Sequence, residues 1–338
     1  MKRATIYQVA QVCGVSAATV SRAFSRPELV NENVRQRIVA VAEQLQYRPN
    51  RAAKGLANGR VSTLGLLVPD ITNPFMPLMV RSVQQAADRL GYSMVLIDAE
   101  SGSAVEPTLI GSLIGQIDGL ILASPRAPSS VLRRAAGDVP CVVINRVIRE
   151  LPSVVCDNSS PLEQAGDLLT ELGHRRIALL RGPAASWAAR RRASAVEAWA
   201  DRAGVSLTTL GPFDASFEGG RVAGASLLRS RATAAYAFDD VMAAGVLAEL
   251  ATRGVGVPDD RSIIGCDDVL LASMVTPGLT TVAAPVGEIG QAAVKVMDDL
   301  VHGVEPTSRA VRLDGSLIVR GSTGPVRSPR LRQPARRR

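Results

Sequence analysis

The sequence predicts an α/β protein: a small all-α helix-turn-helix head followed by a two-lobed body built on parallel sheets. Three observations predict it. Residues 5–24 place two short amphipathic segments on either side of a glycine-centred turn. From residue 61 onward, short apolar runs alternate with longer stretches of helical period, as strands alternate with covering helices. At 338 residues the chain exceeds one ordinary core and suffices for two or three domains.

In the head, Ile6, Val9, Ala10 and Val12 recur at helical spacing after Thr5, a residue able to cap. Cys13-Gly14-Val15 breaks the pattern with a glycine suited to a tight turn. Ser16 then caps a second helix over Ala17–Phe24, with Val20 and Ala23 facing inward. A third helix, about 32–45 from a cap at Asn31, supplies Val34, Ile38, Val41 and Leu45 to a small core. The outward face of the second helix carries Ala17, Ala18, Ser21 and Arg22, small or hydrogen-bonding groups that fit a major groove.

Charge points the same way. Of a net +8, residues 1–60 hold ten Lys/Arg against three acids, and residues 326–338 hold six Arg and no acid, which leaves the middle at −5. A basic head on a mildly acidic body suggests a polyanionic partner for the head, the alternative being a solvated basic surface. Residues 50–57 have helix-favouring composition, yet eight residues with an internal Gly55 cannot hold a helix alone in water.

In the body, strands are expected at 63–68, 93–97, 119–122, 141–144, 154–156, 177–180, 207–210, 234–238 and 262–264. Helices are expected at 74–90, 104–114, 160–172, 187–203, 218–229, 240–252 and 285–302. This alternation gives parallel sheets with helices on both faces, and two lobes with a cleft at the carboxyl ends of the strands. The Pro/Arg-rich tail from 324 is expected to be disordered.

Composition excludes other classes. Hydrophobic residues make up 46% and charged ones 21%, as in globular chains. No apolar run approaches the roughly 18–20 residues that span a bilayer, and the polar Met1–Thr5 start lacks the apolar core of a secretion signal. The four cysteines (13, 141, 156 and 266) are scattered, without metal spacing, as reduced thiols of a cytoplasm. The search for catalytic patterns is negative: two histidines (His174 and His302) without motif partners, and no G-x-S-x-G, H-E-x-x-H or phosphate-binding glycine loop. An enzyme is not expected, nor a cofactor or a metal.

The stretch Thr5-Ile-Tyr-Gln-Val-Ala-Gln-Val-Cys-Gly-Val-Ser-Ala-Ala-Thr-Val-Ser-Arg22, with Tyr47-Arg-Pro-Asn-Arg-Ala-Ala-Lys-Gly-Leu56, resembles the lactose-repressor (LacI/GalR) family of transcription regulators. The resemblance continues through Leu64–Phe75, Ile264-Gly-Cys-Asp-Asp268 and Thr276–Thr281, and covers about residues 4–322. It implies a periplasmic-binding-protein-like body and the division 1–48 head, 49–60 hinge, 61–325 body and 326–338 tail. Lobe one would be 61–157 with 285–313, and lobe two 158–284 with 314–325. Two departures stand out: Gln8, where the family usually has an acid, and Gln46, where a glycine is common. If position 46 needs a left-handed backbone, Gln costs on the order of 1 kcal/mol.

By this resemblance Thr5, Tyr7, Ser16, Ala17, Ala18, Thr19, Ser21, Arg22, Tyr47, Asn50, Ala53, Lys54 and Leu56 meet double-stranded DNA at a palindromic operator. Thr5, Ser16, Thr19 and Ser21 would position the second helix on phosphates, and Arg22 would read a guanine. Leu56 from each subunit of a homodimer would wedge into a central minor-groove step, with Arg51 and Lys54 beside phosphates. Phe75, Asn145, Arg192, Phe213, Asp239 and Asp267 are implied as the effector site. Two acids, an arginine and aromatic faces suit a sugar or related polyol. Plain alternatives stand beside them: Phe213 as core, Asp267 as a helix cap, and one of Arg190–Arg192 facing solvent. The absence of an apolar heptad in the tail favours a dimer, and the setting is cytoplasmic, on the nucleoid. A body that binds a partner protein, and a pure solute-binding protein, are the competing readings.

Overall fold

The computed structural model describes residues 4–47, 61–100 and 102–326, in two units spanning 1–62 and 63–338. Caps set the helices of the first unit. Helix α1 (Ile6–Cys13) starts at Thr5, whose hydroxyl accepts from the Gln8 N–H while the Gln8 side-chain oxygen accepts from the Thr5 N–H at 2.8 Å. Gln8 thus completes a capping box, which is why it serves where an acid is usual. Gly14, at φ 63, ends α1 in the left-handed region. Ser16 caps α2 (Ala17–Ser25) by accepting from the Thr19 N–H, and Asn31 caps α3 (Glu32–Gln44) through the Asn33 N–H.

These helices bury Val9, Ala10, Cys13, Val20, Ala23, Ile38 and Ala42. The sequence reading shifts at three positions. Val12 and Leu45 are exposed, and Cys13 is a buried member of α1 rather than a break in it. Val34 and Val41 only flank the core, and the small Ala42 fills the place expected for bulkier residues. Gln46 does adopt the left-handed backbone, φ 51. The Tyr47 N–H reaches the Ala42 carbonyl at 2.8 Å and the Gln46 N–H the Glu43 carbonyl at 3.0 Å, a Schellman ending that glycine fits best.

The second unit carries two six-stranded sheets. The first, in the order β11-β5-β4-β3-β1-β2, is wholly parallel and is built from β1 (Thr63–Val68), β2 (Ser93–Asp98), β3 (Gly119–Ala123), β4 (Cys141–Ile144), β5 (Ser153–Asp157) and β11 (Ala310–Asp314). The second runs β12-β10-β9-β8-β6-β7, from β6 (Arg176–Leu180), β7 (Ser206–Leu210), β8 (Ala234–Ala237), β9 (Ser262–Asp267), β10 (Thr280–Ala283) and β12 (Ser316–Ile318), with only β12 antiparallel. The central strands β1, β3, β4, β8 and β9 are near-continuous apolar runs, as burial on both faces requires.

The body has nine helices among the described residues: α4 (Phe75–Arg89), α5 (Glu106–Leu113), α6 (Ser129–Ala136), α7 (Ser159–Glu171), α8 (Trp187–Ala203), α9 (Phe217–Arg229), α10 (Asp240–Thr252), the short α11 (Leu270–Met274) and α12 (Val286–Val301). The chain passes between the sheets three times, after β5, after β10 and between β11 and β12. Helix α12 returns to the first sheet, burying Ile289, Ala293, Val294 and Met297 against β3 and β4, while Leu162 and Leu169 of α7 pack under the second. The sequence reading lacked α6, α11, β10, β11 and β12. No helix among the described residues is long and apolar enough to cross a membrane.

Candidate functional sites in the head and in the cleft

On α2 of the head, Ala18, Ser21 and Arg22 are exposed, and Arg22 enters no ion pair among the described residues. Ala17 is only half exposed because it also packs on the core. The Ser16 and Thr19 hydroxyls lie 2.9 Å apart, so the cap itself orders two hydroxyls at the start of the helix. Thr5 is exposed at the start of α1 and Tyr7 projects from its first turn, 74% exposed. Tyr47 sits differently: its ring is half-buried against the core and lies 6.1 Å from that of Phe24, and burial pushes its phenol up. Asn50, Ala53, Lys54 and Leu56, with Arg51, lie outside the described residues, as do the positions beyond 326.

In the body, the cleft forms where the strands of both sheets end. Asn145 follows β4 at φ 56, a left-handed backbone that asparagine tolerates, and faces the cleft with Phe75. Phe75 opens α4 and is buried, its N–H donating to the Asn73 side-chain oxygen at 3.0 Å. Across the cleft, Arg192 of α8 donates to Asp267 Oδ1 at 2.5 Å and to the Phe238 carbonyl at 2.7 Å, with its guanidinium 5.1 Å from the Phe238 ring centre. Burial disfavours the charge on both partners; Asp267 nonetheless holds the Arg192 guanidinium protonated, while burial lifts Asp267 above the ordinary carboxylate range against the pull of Arg192. The Arg192 Nε is buried and has no partner. Asp267 does not cap a helix; it ends β9 at φ 107.

The cap belongs to Asp239, whose Oδ1 accepts from the Met242 N–H at 2.8 Å at the start of α10. Its other oxygen accepts from the Asn73 amide at 3.2 Å, a direct bond between the lobes. Burial and the nearby Asp267 charge push Asp239 up to about 6. Its neighbour Asp240, absent from the sequence reading, is also buried. It accepts from the Val269 N–H at 3.0 Å and the Thr281 hydroxyl at 2.6 Å, and the same two causes push it up to about 8. Gly265 makes room for it: a Cβ there would stand 2.2 Å from Asp240 Oδ1.

Phe75, Asn145 and Arg192 share one cavity of about 30 Å³, room for one or two waters, together with Trp187, Arg191, Asp157, Asn158 and Arg312. Phe213 is not among its lining residues; it packs, half-buried, on the core beneath α9 and α10. Asp267 borders a neighbouring groove of about 340 Å³ that includes Leu78, Gln85, Ala284 and Gln291. Asn158 joins two thiols at the crossing between the sheets, accepting from Cys156 Sγ at 3.0 Å and donating to Cys266 Sγ at 3.9 Å. Burial pushes the Cys156 thiol up to about 12 and Cys266 well above its ordinary value, so neither supplies a thiolate near neutrality. His174 is committed elsewhere, its ring bonding Thr233, Ser262 and the Gly324 carbonyl at 2.8–3.0 Å. Among the described residues no acid, thiol or imidazole cluster has the makings of a metal site.

Trp187, Arg191, Asp157, Arg312, Asn73 and Asp240 were missed by sequence reasoning. Asp240, Arg191 and Asn73 had local signals, as neighbours of Asp239, Arg192 and Phe75; Asp157 and Arg312 converge from segments far apart in the chain.

Residues 5–50 match the profile of bacterial regulatory proteins of the lacI family, and residues 167–323 that of a periplasmic binding protein-like domain. The HTH-type transcriptional regulator DegA of Bacillus subtilis is 32% identical over 335 residues, covering 96% of this chain and 99% of that protein. The lac repressor dimer bound to operator and the anti-inducer ONPF superposes with a TM-score of 0.83 at 28% identity, over 96% of this chain and all of that one. A LacI family transcriptional regulator from Enterococcus faecium, solved with bound ribose, gives a TM-score of 0.69 at 28% identity over 78% of this chain and all of that one.

Proposed function

The chain belongs to the lacI family of bacterial regulatory proteins, and from that premise we propose that it is a repressor that binds a palindromic operator as a homodimer under control of a carbohydrate or related polyol held between its two lobes. The observation that carries this reading is the pairing, in one chain, of an α2 face that leaves Ala18, Ser21 and Arg22 free with a body whose two lobes share one polar, aromatic-walled cleft. In the proposed division, residues 1–48 bind DNA and 49–60 form the hinge. Residues 61–157 with 285–313 make one lobe, 158–284 with 314–325 the other, and 326–338 form a basic tail. Arg22 reads a base, Thr5, Ser16, Thr19 and Ser21 meet phosphates, and Leu56 opens the centre of the site. The ribose-bound relative supports a carbohydrate as effector.

A ligand that binds the two lobes together can act on DNA only through its different affinity for two arrangements of the body. Asp239 supplies the means, since its bond from Asn73 joins the two lobes, and beside it Arg192 and Asp267 hold a bond within one lobe that a ligand hydroxyl can replace. The test uses fluorescence anisotropy with the full-length protein on an operator selected from random duplex DNA. Arg22→Ala is expected to weaken operator binding by about 1–3 kcal/mol, five- to 150-fold, and to relax sequence preference. Leu56→Ala is expected to lower specific binding far more than non-specific binding. Full operator affinity in Arg22→Ala, or equal specific and non-specific losses in Leu56→Ala, would overturn this docking.

A further inference from the structure

Four charged side chains line the cleft cavity, Arg191, Arg192, Arg312 and Asp157, so three guanidiniums face one carboxylate. Asp267, just outside the lining, answers Arg192. Arg191 on α8 and Arg312 on β11 enter no ion pair among the described residues, although they stand on opposite lobes and both lower the Asp157 pKa through their charge. Asp157 is itself occupied: its first claim is the Ser159 N–H, at 3.0 Å, at the start of α7. The guanidinium of Arg191 lies over the Trp187 ring, 5.8 Å from its centre, a cation–π contact that uses none of its N–H donors. Nearby, Arg192 holds a buried Nε with no acceptor.

A neutral sugar accepts N–H bonds from these groups but does not answer their charge. A planar or tetrahedral anion does: guanidiniums present forked N–H donors that match carboxylate and phosphate oxygens, and such charge-assisted bonds are about twice as strong as neutral ones. We propose that the effector is a carbohydrate bearing an anionic group, a carboxylate or a phosphate, held between Arg191 of one lobe and Arg312 of the other with its apolar face against Trp187, in an arrangement of the lobes more open than this one, whose cavity has room for only one or two waters. This rests on the carbohydrate reading above and narrows it. Because the two arginines come from different lobes, the anion ties the lobes together and so couples its own charge to the closure of the body.

The test titrates the full-length protein by calorimetry with matched sets: ribose with ribose 5-phosphate, and glucose with gluconate, glucuronate and glucose 6-phosphate, with inorganic phosphate and a nucleoside monophosphate as controls. At least one anionic sugar is expected to bind tenfold or more tightly than its neutral parent, with an affinity that falls as salt rises. The carboxylate and phosphate arms identify the source of the charge. In the double variant R191Q/R312Q, checked for folding by far-ultraviolet circular dichroism, that preference is expected to fall below threefold. A neutral parent that binds as tightly as its acidic partners, or a preference that survives the double variant, overturns this inference and leaves the carbohydrate reading standing. Binding of the nucleotide or inorganic phosphate alone overturns the carbohydrate reading instead. No binding by any member overturns both.

Discussion

Asp240→Asn isolates the electrostatics of the cleft floor. Asp240 is 1% exposed, and burial with the nearby Asp267 charge pushes its carboxyl from 3.8 up to about 8. The folded-state pKa is thus above the unfolded one, so the unfolded chain gives up this proton first as pH rises. The stability that Asp240 contributes is full below about pH 4, declines as pH rises, and is lost once pH passes about 8. Between about pH 5 and about pH 8.5 the linkage removes about 4 kcal/mol, which for a domain of this size is roughly 8–16 °C in Tm. Asparagine preserves the geometry: its oxygen accepts from the Val269 N–H and its amide donates to the Thr281 hydroxyl. The variant should therefore match the wild type below about pH 4, exceed it by about 2 kcal/mol near pH 5 and by about 6 kcal/mol near pH 8.5. Burial lowers the His174 pKa, which gives a stability change of opposite sign at the acidic end, but the difference between the two proteins cancels it. Both tryptophans of the chain, Trp187 and Trp199, lie on α8 beside the second sheet, so their fluorescence during urea unfolding follows the lobe that holds Asp240. An equal pH slope in the two proteins would refute the reasoning.

Other perturbations probe separate parts of the account. Gln46→Gly relieves a left-handed glutamine at the end of α3 and should stabilise the head by about 1 kcal/mol, read as slower hydrogen exchange in the last turn of α3; unchanged or faster exchange contradicts it. Arg192→Met strands a buried Asp267 carboxylate and should cost the body about 3–5 kcal/mol. Adding Asp267→Asn should recover more than half of that loss in urea unfolding, and no recovery would mean that the arginine acts through the Phe238 carbonyl instead.

The head was the most readable part of the sequence, because its signals are local. Thr5, Ser16 and Asn31 each cap within three residues, and Gly14 declares its backbone geometry by type, whereas the left-handed Gln46 was flagged only by the resemblance. What periodicity misjudged there was depth: three short helices cannot cover every apolar position, so Val12 and Leu45 stay at the surface. In the body, strands of five or six apolar residues were evident, whereas β10, β11 and β12 escaped. They are three to five residues long, and Ala310–Asp314 mixes Arg and Asp with apolar residues on a half-exposed edge. Arg312 went unnoticed with its strand. The acids at 239, 240 and 267 become one cluster only because parallel strands deliver their carboxyl ends to the same edge. No spacing along the chain encodes that proximity. Phe213 shows the limit of position-by-position resemblance, since its ring lies on the core rather than in the cavity.

The central claim is a regulator whose head reads DNA and whose cleft reads a small molecule. Its most direct test is selection of binding sites from random duplex DNA by the purified full-length protein, with and without a cell metabolite extract. The account predicts enrichment of one palindrome and a change in its recovery when the extract is present. Failure to enrich any sequence in either condition would contradict it.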